Sequence, residues 1–236
     1  MPIRPAPFAL GPRPAPAGAE RGPAPVTPHR EPPPPGTFQF GTAGNDALAA
    51  GPNARFVFGR DGNDSITGSD RPDGLMGGRG GDSVSGGAGN DHLSGGPGTD
   101  TLSGGAGNDT IGGGGTETDQ LTGGAGADAF VIRGPVATSA AGLDRITDFT
   151  HGEDRLVFGP KAATAANFTT AAASTFADAV TTANGRIGTG AADFVAVKVG
   201  ADVIVFADAF NNNGSADAAV ILVGKSLTDI TFGDIH

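Results

Sequence analysis

The 236-residue chain has no cysteine, no tryptophan and no tyrosine, and only two methionines. Without cysteine there is neither a disulfide frame nor a thiolate zinc site. Fourteen phenylalanines are the only aromatics, too few for a conventional large core. No run of about 18 apolar residues occurs, so no segment reads as a membrane-spanning helix. Proline interrupts the N-terminal stretch MPIRPAPFALGPRPAPAG throughout, so the apolar region of a cleaved secretory signal is not expected there. H-E-x-x-H, G-x-S-x-G and a phosphate-binding loop are also missing, and no catalytic residue is expected.

What is abundant is glycine, at 42 residues, with 18 prolines and a net charge of −10. Glycine follows no three-residue period, which excludes collagen and favours a repetitive, loop-rich architecture. The negative balance argues against nucleic acid or an anionic lipid as partner and for cations. Residues 37–131 carry 12 acidic against 4 basic side chains, the most uneven balance in the chain.

Three regions follow from composition. Residues 1–36 hold 13 of the prolines and end in EPPPPG, which reads as a disordered, Pro-rich arm acting as a spacer or as a docking peptide for a proline-reading domain. From 41 to 112 the chain divides into eight consecutive nine-residue units, followed by a ten-residue unit, GGGTETDQLT, and a last regular one, GGAGADAFV. The eighth position is apolar in all of them: Leu48, Val57, Ile66, Leu75, Val84, Leu93, Leu102, Ile111, Leu121 and Phe130. Residues 132–236 thin in glycine and show strand-like alternation at 144–149, 154–158, 193–199, 202–207 and 218–223, with a hairpin around Gly200. Between them STFADAVTTANG (174–185) predicts a Ser-capped helix with Phe176 and Val180 on one side and an Asn-Gly stop.

Each unit splits into a six-residue turn and a three-residue strand, whose central residue points inward and whose neighbours point outward. Glycines at the first, second and fourth places suit positive φ and close stacking of backbones. Asn45, Asn63, Asn90 and Asn108 at the fifth place are the next most tolerant of such angles. One apolar side chain per nine residues buries little, and carboxylates on rungs about 4.8 Å apart repel by about 3 kcal/mol per pair at an effective dielectric near 20. A divalent ion reverses that sign, so the repeat region is expected to fold on binding metal.

The units GGAGNDHLS, GGPGTDTLS and GGAGNDTIG resemble the RTX (repeats-in-toxin, hemolysin-type) motif G-G-x-G-x-D-x-U-x, in which U is a large apolar residue. The resemblance implies a mainly β chain: a right-handed parallel β-roll over 37–131 with two repeats per 18-residue coil, then a small mixed β/α C-terminal domain over 132–236. It also implies calcium between stacked turns. One edge would carry Asp46, Asp64, Asp82 and Asp100, the other Asp73, Asp91, Asp109 and Asp128, with Asp119 weaker because the ten-residue unit displaces it. Backbone carbonyls of Gly77, Gly78, Gly80, Gly86, Gly87, Gly89, Gly95, Gly96, Gly98, Gly104, Gly105 and Gly107 would complete the ligand set. All-oxygen ligands on a flexible turn suit Ca2+ better than zinc or magnesium, and about five to seven ions are expected, strongest between 73 and 109.

Two units besides the ten-residue one, in which Thr116 also replaces glycine, depart from the pattern. The second has Arg55 in place of aspartate, either as a guanidinium standing in for an ion opposite Asp73 or as a degenerate capping unit. The fourth, GSDRPDGLM, lacks the second and fourth glycines. The histidines, His29, His92, His151 and His236, read as solvated, and DAFNNNGSAD (208–217) as an Asx-rich turn or a further calcium loop. GLDRITDFTHGEDRLVF (142–158) resembles the segment that follows the repeats in RTX secreted proteins, and the acidic-hydrophobic terminus SLTDITFGDIH resembles their uncleaved export signal. That likeness implies an extracellular or surface-associated bacterial protein delivered by type I export machinery. The alternative reading is a calcium-dependent adhesive or carbohydrate-binding module for surface or matrix polysaccharide; an enzyme with its site in 132–236 ranks below both.

Overall fold

The apolar eighth residues set the architecture by stacking on their own kind. In the computed structural model, which describes residues 37–51, 54–133, 140–159, 162–208 and 215–236, two parallel sheets run along a solenoid. The Pro-rich arm, and most of the Asx-rich segment 208–217, lie outside the described residues.

The first sheet comprises β1 (Thr37–Phe40), β3 (Ala54–Asp61), β5 (Gly74–Arg79), β7 (His92–Ser94), β9 (Thr110–Gly112), β11 (Ala129–Val131) and β13 (Arg155–Val157), side by side in that order. The second holds β2 (Ala47–Ala49), β4 (Ser65–Thr67), β6 (Ser83–Ala88), β8 (Thr101–Ala106), β10 (Gln120–Ala125) and β12 (Arg145–Ile146). Successive units therefore alternate between sheets. Val57, Leu75, Leu93, Ile111, Phe130 and Leu156 form one inward column, and Leu48, Ile66, Val84, Leu102, Leu121 and Ile146 the other. All but Leu48, at the open first coil, are buried. The structure is the expected parallel β-roll.

Both sheets continue past the last repeat. The second passes from β12 to β17 (Ala218–Leu222), then β16 (Asp202–Ala207), β15 (Phe194–Val199) and β14 (Phe168–Ala173), with antiparallel pairing on either side of β16. Gly200, at φ 60°, closes the β15–β16 hairpin. Strand alternation here serves two cores. Phe194, Val205, Val220 and Leu222 extend the apolar interior of the roll, whereas Val195, Val197, Ile204, Phe206 and Ile221 face the helix α1 (Phe176–Gly188). No helix among the described residues is long and apolar enough to cross a membrane.

Local details of α1 differ from the sequence expectation. Its N-cap is Thr175, whose hydroxyl accepts from Asp178 N, while Ser174 donates to the Asp178 carboxylate. Asn184 and Gly185 do not end it, because Asn184 Oδ1 is engaged by Ala216 N at 2.9 Å and the next turn buries Ile187. Ala179, Ala183 and Ile187 form the buried stripe, with Phe176 and Val180 half-buried beside it. Strand β14 was not expected; its Thr-Ala sequence lacks large alternating residues and is held by six residues of parallel register on β15.

The turn residues also have duties other than those expected. First-position glycines have no positive φ. At Gly95, an added Cβ would stand 2.1 Å from Asp100 Oδ2 and 2.7 Å from Gly113 O, so absence of a side chain, not backbone freedom, is what the position needs. None of the four repeat asparagines has positive φ either. Instead, Asn45, Asn63, Asn90 and Asn108 each accept, through Oδ1, the fifth-position N–H of the coil one step on, at 2.8–2.9 Å.

Gly95→Ala is expected to cost more than about 2 kcal/mol in denaturant unfolding of the calcium-loaded protein. Gly112→Ala, where an added Cβ meets nothing closer than 3.4 Å, changes stability by less than about 1 kcal/mol. Equal losses for the two would contradict this account of the first-position glycine.

Candidate metal-binding ladders

The sixth-position aspartates line up along the two edges of the roll. On one edge Asp46 N donates to Asp64 Oδ1, Asp64 N to Asp82 Oδ1 and Asp82 N to Asp100 Oδ1, at 2.7–2.8 Å. On the other, the same bond joins Asp73 to Asp91, Asp91 to Asp109 and Asp109 to Asp128, at 2.8–2.9 Å. The two edges bring together the aspartates grouped from the sequence.

Asp119 is not set apart. The extra residue of the ten-residue unit is taken up in the turn before it, and Asp100 N donates to Asp119 Oδ1 at 2.8 Å as in every regular rung. Both ladders also extend beyond the repeats, which the sequence reading missed: Asp119 N donates to Asp144 Oδ1 (3.2 Å) and Asp128 N to Asp154 Oδ1 (2.9 Å). A signal was present, since Gly142-Leu-Asp144-Arg-Ile and Gly152-Glu-Asp154-Arg-Leu keep the G-x-D-x-U part of the motif without its first two glycines. Arg55 is exposed on β3 and forms no ion pair with Asp73 among the described residues.

One oxygen of each carboxylate thus stitches two coils together; the other is the unusual one. Oδ2 of Asp64, Asp82, Asp91, Asp100, Asp109, Asp119 and Asp128 is buried and has no hydrogen-bond donor among the described residues. A buried carboxylate oxygen in that state is costly unless something cationic meets it. A carbonyl from the next coil approaches the same point. A Cβ built at Gly59 would lie 2.1 Å from Asp64 Oδ2 and 2.4 Å from Gly77 O, and at Gly86 it would lie 2.4 Å from both Asp91 Oδ2 and Gly104 O. No three carboxylate or imidazole side chains converge among the described residues, so any ion held here draws on backbone carbonyls. This donor set, carboxylate plus glycine carbonyl, fits calcium.

Three carboxylates differ. Asp46 Oδ2 accepts from Thr42 N (2.6 Å) and Oγ1 (2.9 Å), and Asp73 Oδ2 from Ser69 N (2.7 Å) and Oγ (2.8 Å). Asp154 Oδ2 accepts from Thr150 N at 2.7 Å. The residue at the second position of the turn decides between the two arrangements. Where it is glycine, as at 78, 87, 96, 105, 114 and 124, φ is positive. Arg60 adopts the same sign, at φ 88°, with its guanidinium 5.0 Å above the Phe40 ring, and Asp64 Oδ2 is left open accordingly. Thr42, Ser69 and Thr150 avoid positive φ and turn their N–H onto the carboxylate.

Burial is the main cause of the carboxylates' altered acidity. It pushes Asp91 and Asp128 up to about 6 and Asp100 up to about 7, with neighbouring rungs adding repulsion and the stitching N–H bonds pulling the other way. Asp82, Asp109 and Asp154 are raised for the same first reason, as are Asp119, to which the Asp144 carboxylate adds repulsion, and Asp144, to which Asp100 does. Of the histidines, His92 faces outward, and His151 Nδ1 meets Asp234 Oδ2 at 2.9 Å. A cavity of about 340 Å3 lies away from the ladders on the outer face of the first sheet, between Phe56, Met76 and Arg133.

Coiled turns with an acidic rung at each level and an open, buried oxygen on most of them define a cation-binding β-solenoid. The RTX calcium-binding nonapeptide repeat family matches residues 40–70, 76–111 and 113–131 in four copies, and the repeats of this chain are of that family: they form a calcium-binding β-roll module. Among solved structures, the chain is similar to the AlgE6R3 subunit of the mannuronan C5-epimerase of Azotobacter vinelandii (25% identity, TM-score 0.32, 72% of this chain and 80% of that one). It is also similar to the AlgE6R2 subunit of the same enzyme (27%, TM-score 0.32, 72% and 90%). A third is the extracellular lipase LipA of Serratia marcescens (17%, TM-score 0.30, 84% and 40%). No curated protein matches significantly.

Raised carboxyl pKa values mean that, without metal, the folded roll binds protons more tightly than the unfolded chain. The stability they contribute is complete below about pH 4 and is lost as pH rises through about 6–7. In excess chelator the roll should therefore resist denaturant better at pH 5 than at pH 8; in millimolar calcium, where protons compete with the ion, the order should reverse. Denaturant midpoints at the two pH values check both signs, and a pH-independent chelated midpoint would contradict them.

Proposed function

We propose that this is a secreted or surface-associated calcium-binding protein whose roll folds when it meets extracellular calcium. The single observation that carries the reading is the row of seven buried Oδ2 atoms without a donor, at Asp64, Asp82, Asp91, Asp100, Asp109, Asp119 and Asp128. Each carboxylate offers one oxygen to the neighbouring coil and keeps one for a cation, and the carbonyl of a first-position glycine in the next coil adds a ligand. Calcium supplies the charge that offsets repulsion along each ladder. Extracellular calcium modules work at dissociation constants of roughly 10⁻⁴–10⁻³ M, so such a roll stays open in the cytosol and closes outside. That order of events suits export of an unfolded chain through a type I exporter, with residues 132–236 supplying the last rungs and the terminal signal.

Calorimetric titration of the full chain should give calcium dissociation constants of roughly 10⁻⁴–10⁻³ M. Asp91→Ala combined with Asp109→Ala should lower the number of ions bound by at least two, because each residue contributes an open oxygen. Unchanged stoichiometry in the double variant would refute the assignment of these carboxylates as ligands.

A further inference from the structure

We infer that a hydroxyl residue at the second position of a turn replaces calcium there, so that the half-coils of Asp46 and Asp73 take no ion although each retains its aspartate; this rests on the calcium-binding reading above. The two kinds of turn are chemically exclusive. In the glycine form, Gly78 N and Gly96 N pair with the carbonyls of Gly95 and Gly113 in the following coil, both at 2.8 Å, and Oδ2 of the rung is left without a donor. In the hydroxyl form, the second residue's N–H and Oγ both point at Oδ2, within 2.6–2.9 Å. That carboxylate oxygen is satisfied by two donors, and a cation approaching it would face the hydrogens of both. Metal and hydroxyl are alternative answers to the same buried charge.

Their placement along the ladders supports a division of labour. Asp46 is the first rung of one ladder and Asp73 the first aspartate rung of the other, whose last rung, Asp154, has Thr150 in the equivalent place. Open oxygens fill the interval on both edges. A first rung has no aspartate in the coil before it, and the donors of the hydroxyl residue supply there what the ladder does not. Thr42 and Ser69 thus mark metal-independent starts of the two ladders; at the last rung of the second, Thr150 N–H alone reaches Asp154 Oδ2 while its hydroxyl donates to Asp148 O, and Asp144, last on the other, has Ala140 in the equivalent place. The sequence rule is compact: a Ser or Thr four residues before the aspartate, in GTAGND, GSDRPD and FTHGED, marks a rung without calcium.

The test counts ions. Thr42→Gly converts GTAGND to GGAGND, the sequence of regular units, and Ser69→Gly with Arg71→Gly restores both missing glycines of the fourth unit. Native mass spectrometry of the full chain in calcium should show one more ion in each variant than in the wild type. If the wild type binds calcium and neither variant gains an ion, hydroxyl replacement is wrong while the calcium assignment stands. If the wild type binds none, the calcium reading itself fails. Two separate variants guard against one of them not folding, and a gain in ion number is a readout that loss of a merely structural hydroxyl would not produce.

Discussion

The structure depends on a carboxylate shared between two coils. Each ladder aspartate after the first accepts a backbone N–H from the coil before it with one oxygen, so its side chain is part of the backbone hydrogen-bond scheme of the solenoid. Stitching by a charged group is stronger than by a neutral one. It also buries charge, and seven of the second oxygens find no donor among the described residues. The rest of the fold accommodates that arrangement: glycine where a Cβ would collide with Oδ2, asparagine returning the same favour from the opposite direction, and one apolar residue per unit to fill the narrow space between sheets.

Calcium in this account is a structural counter-charge. A roll with open oxygens is frustrated at neutral pH, and its carboxyls respond by holding protons up to pH values where aspartate is ordinarily ionised. Protons, hydroxyl groups and a divalent ion are three ways of meeting the same cost. In the proposed reading, hydroxyl residues serve at the first rungs and an ion in the middle, which ties folding to the chain's surroundings. The C-terminal strands are a continuation of the same sheets, since β12 and β13 add rungs to both ladders before the antiparallel strands take over.

Much of this was legible in the sequence because the repeat is strict. The period of nine and the inward column of apolar residues follow from identity at fixed positions, and the grouping of aspartates at intervals of 18 from the resemblance to RTX repeats. What was not legible depended on contacts between coils. First-position glycine and fifth-position asparagine are indistinguishable, in sequence, from residues chosen for positive φ; only their neighbours one coil away reveal that Gly95 makes room for Asp100 and Asn63 accepts from Gly81. Asp144 and Asp154 escaped notice because they keep the aspartate, the apolar residue and one glycine but lose the glycine pair that opens each unit. Strand β14 and the end of α1 escaped for a different reason: an Ala-Thr strand and an Asn-Gly pair inside a helix are held by tertiary partners that outweigh local preference.

The most direct measurement is amide hydrogen exchange at the rungs themselves. The N–H groups of Asp82, Asp91, Asp100 and Asp109 each donate to the aspartate of the next coil and report whether the ladders are closed. The account predicts strong protection of all four in millimolar calcium and its loss in excess chelator at pH 7.5. Equal protection in both conditions would mean that the carboxylate ladders stand without a cation, and the central claim would be wrong.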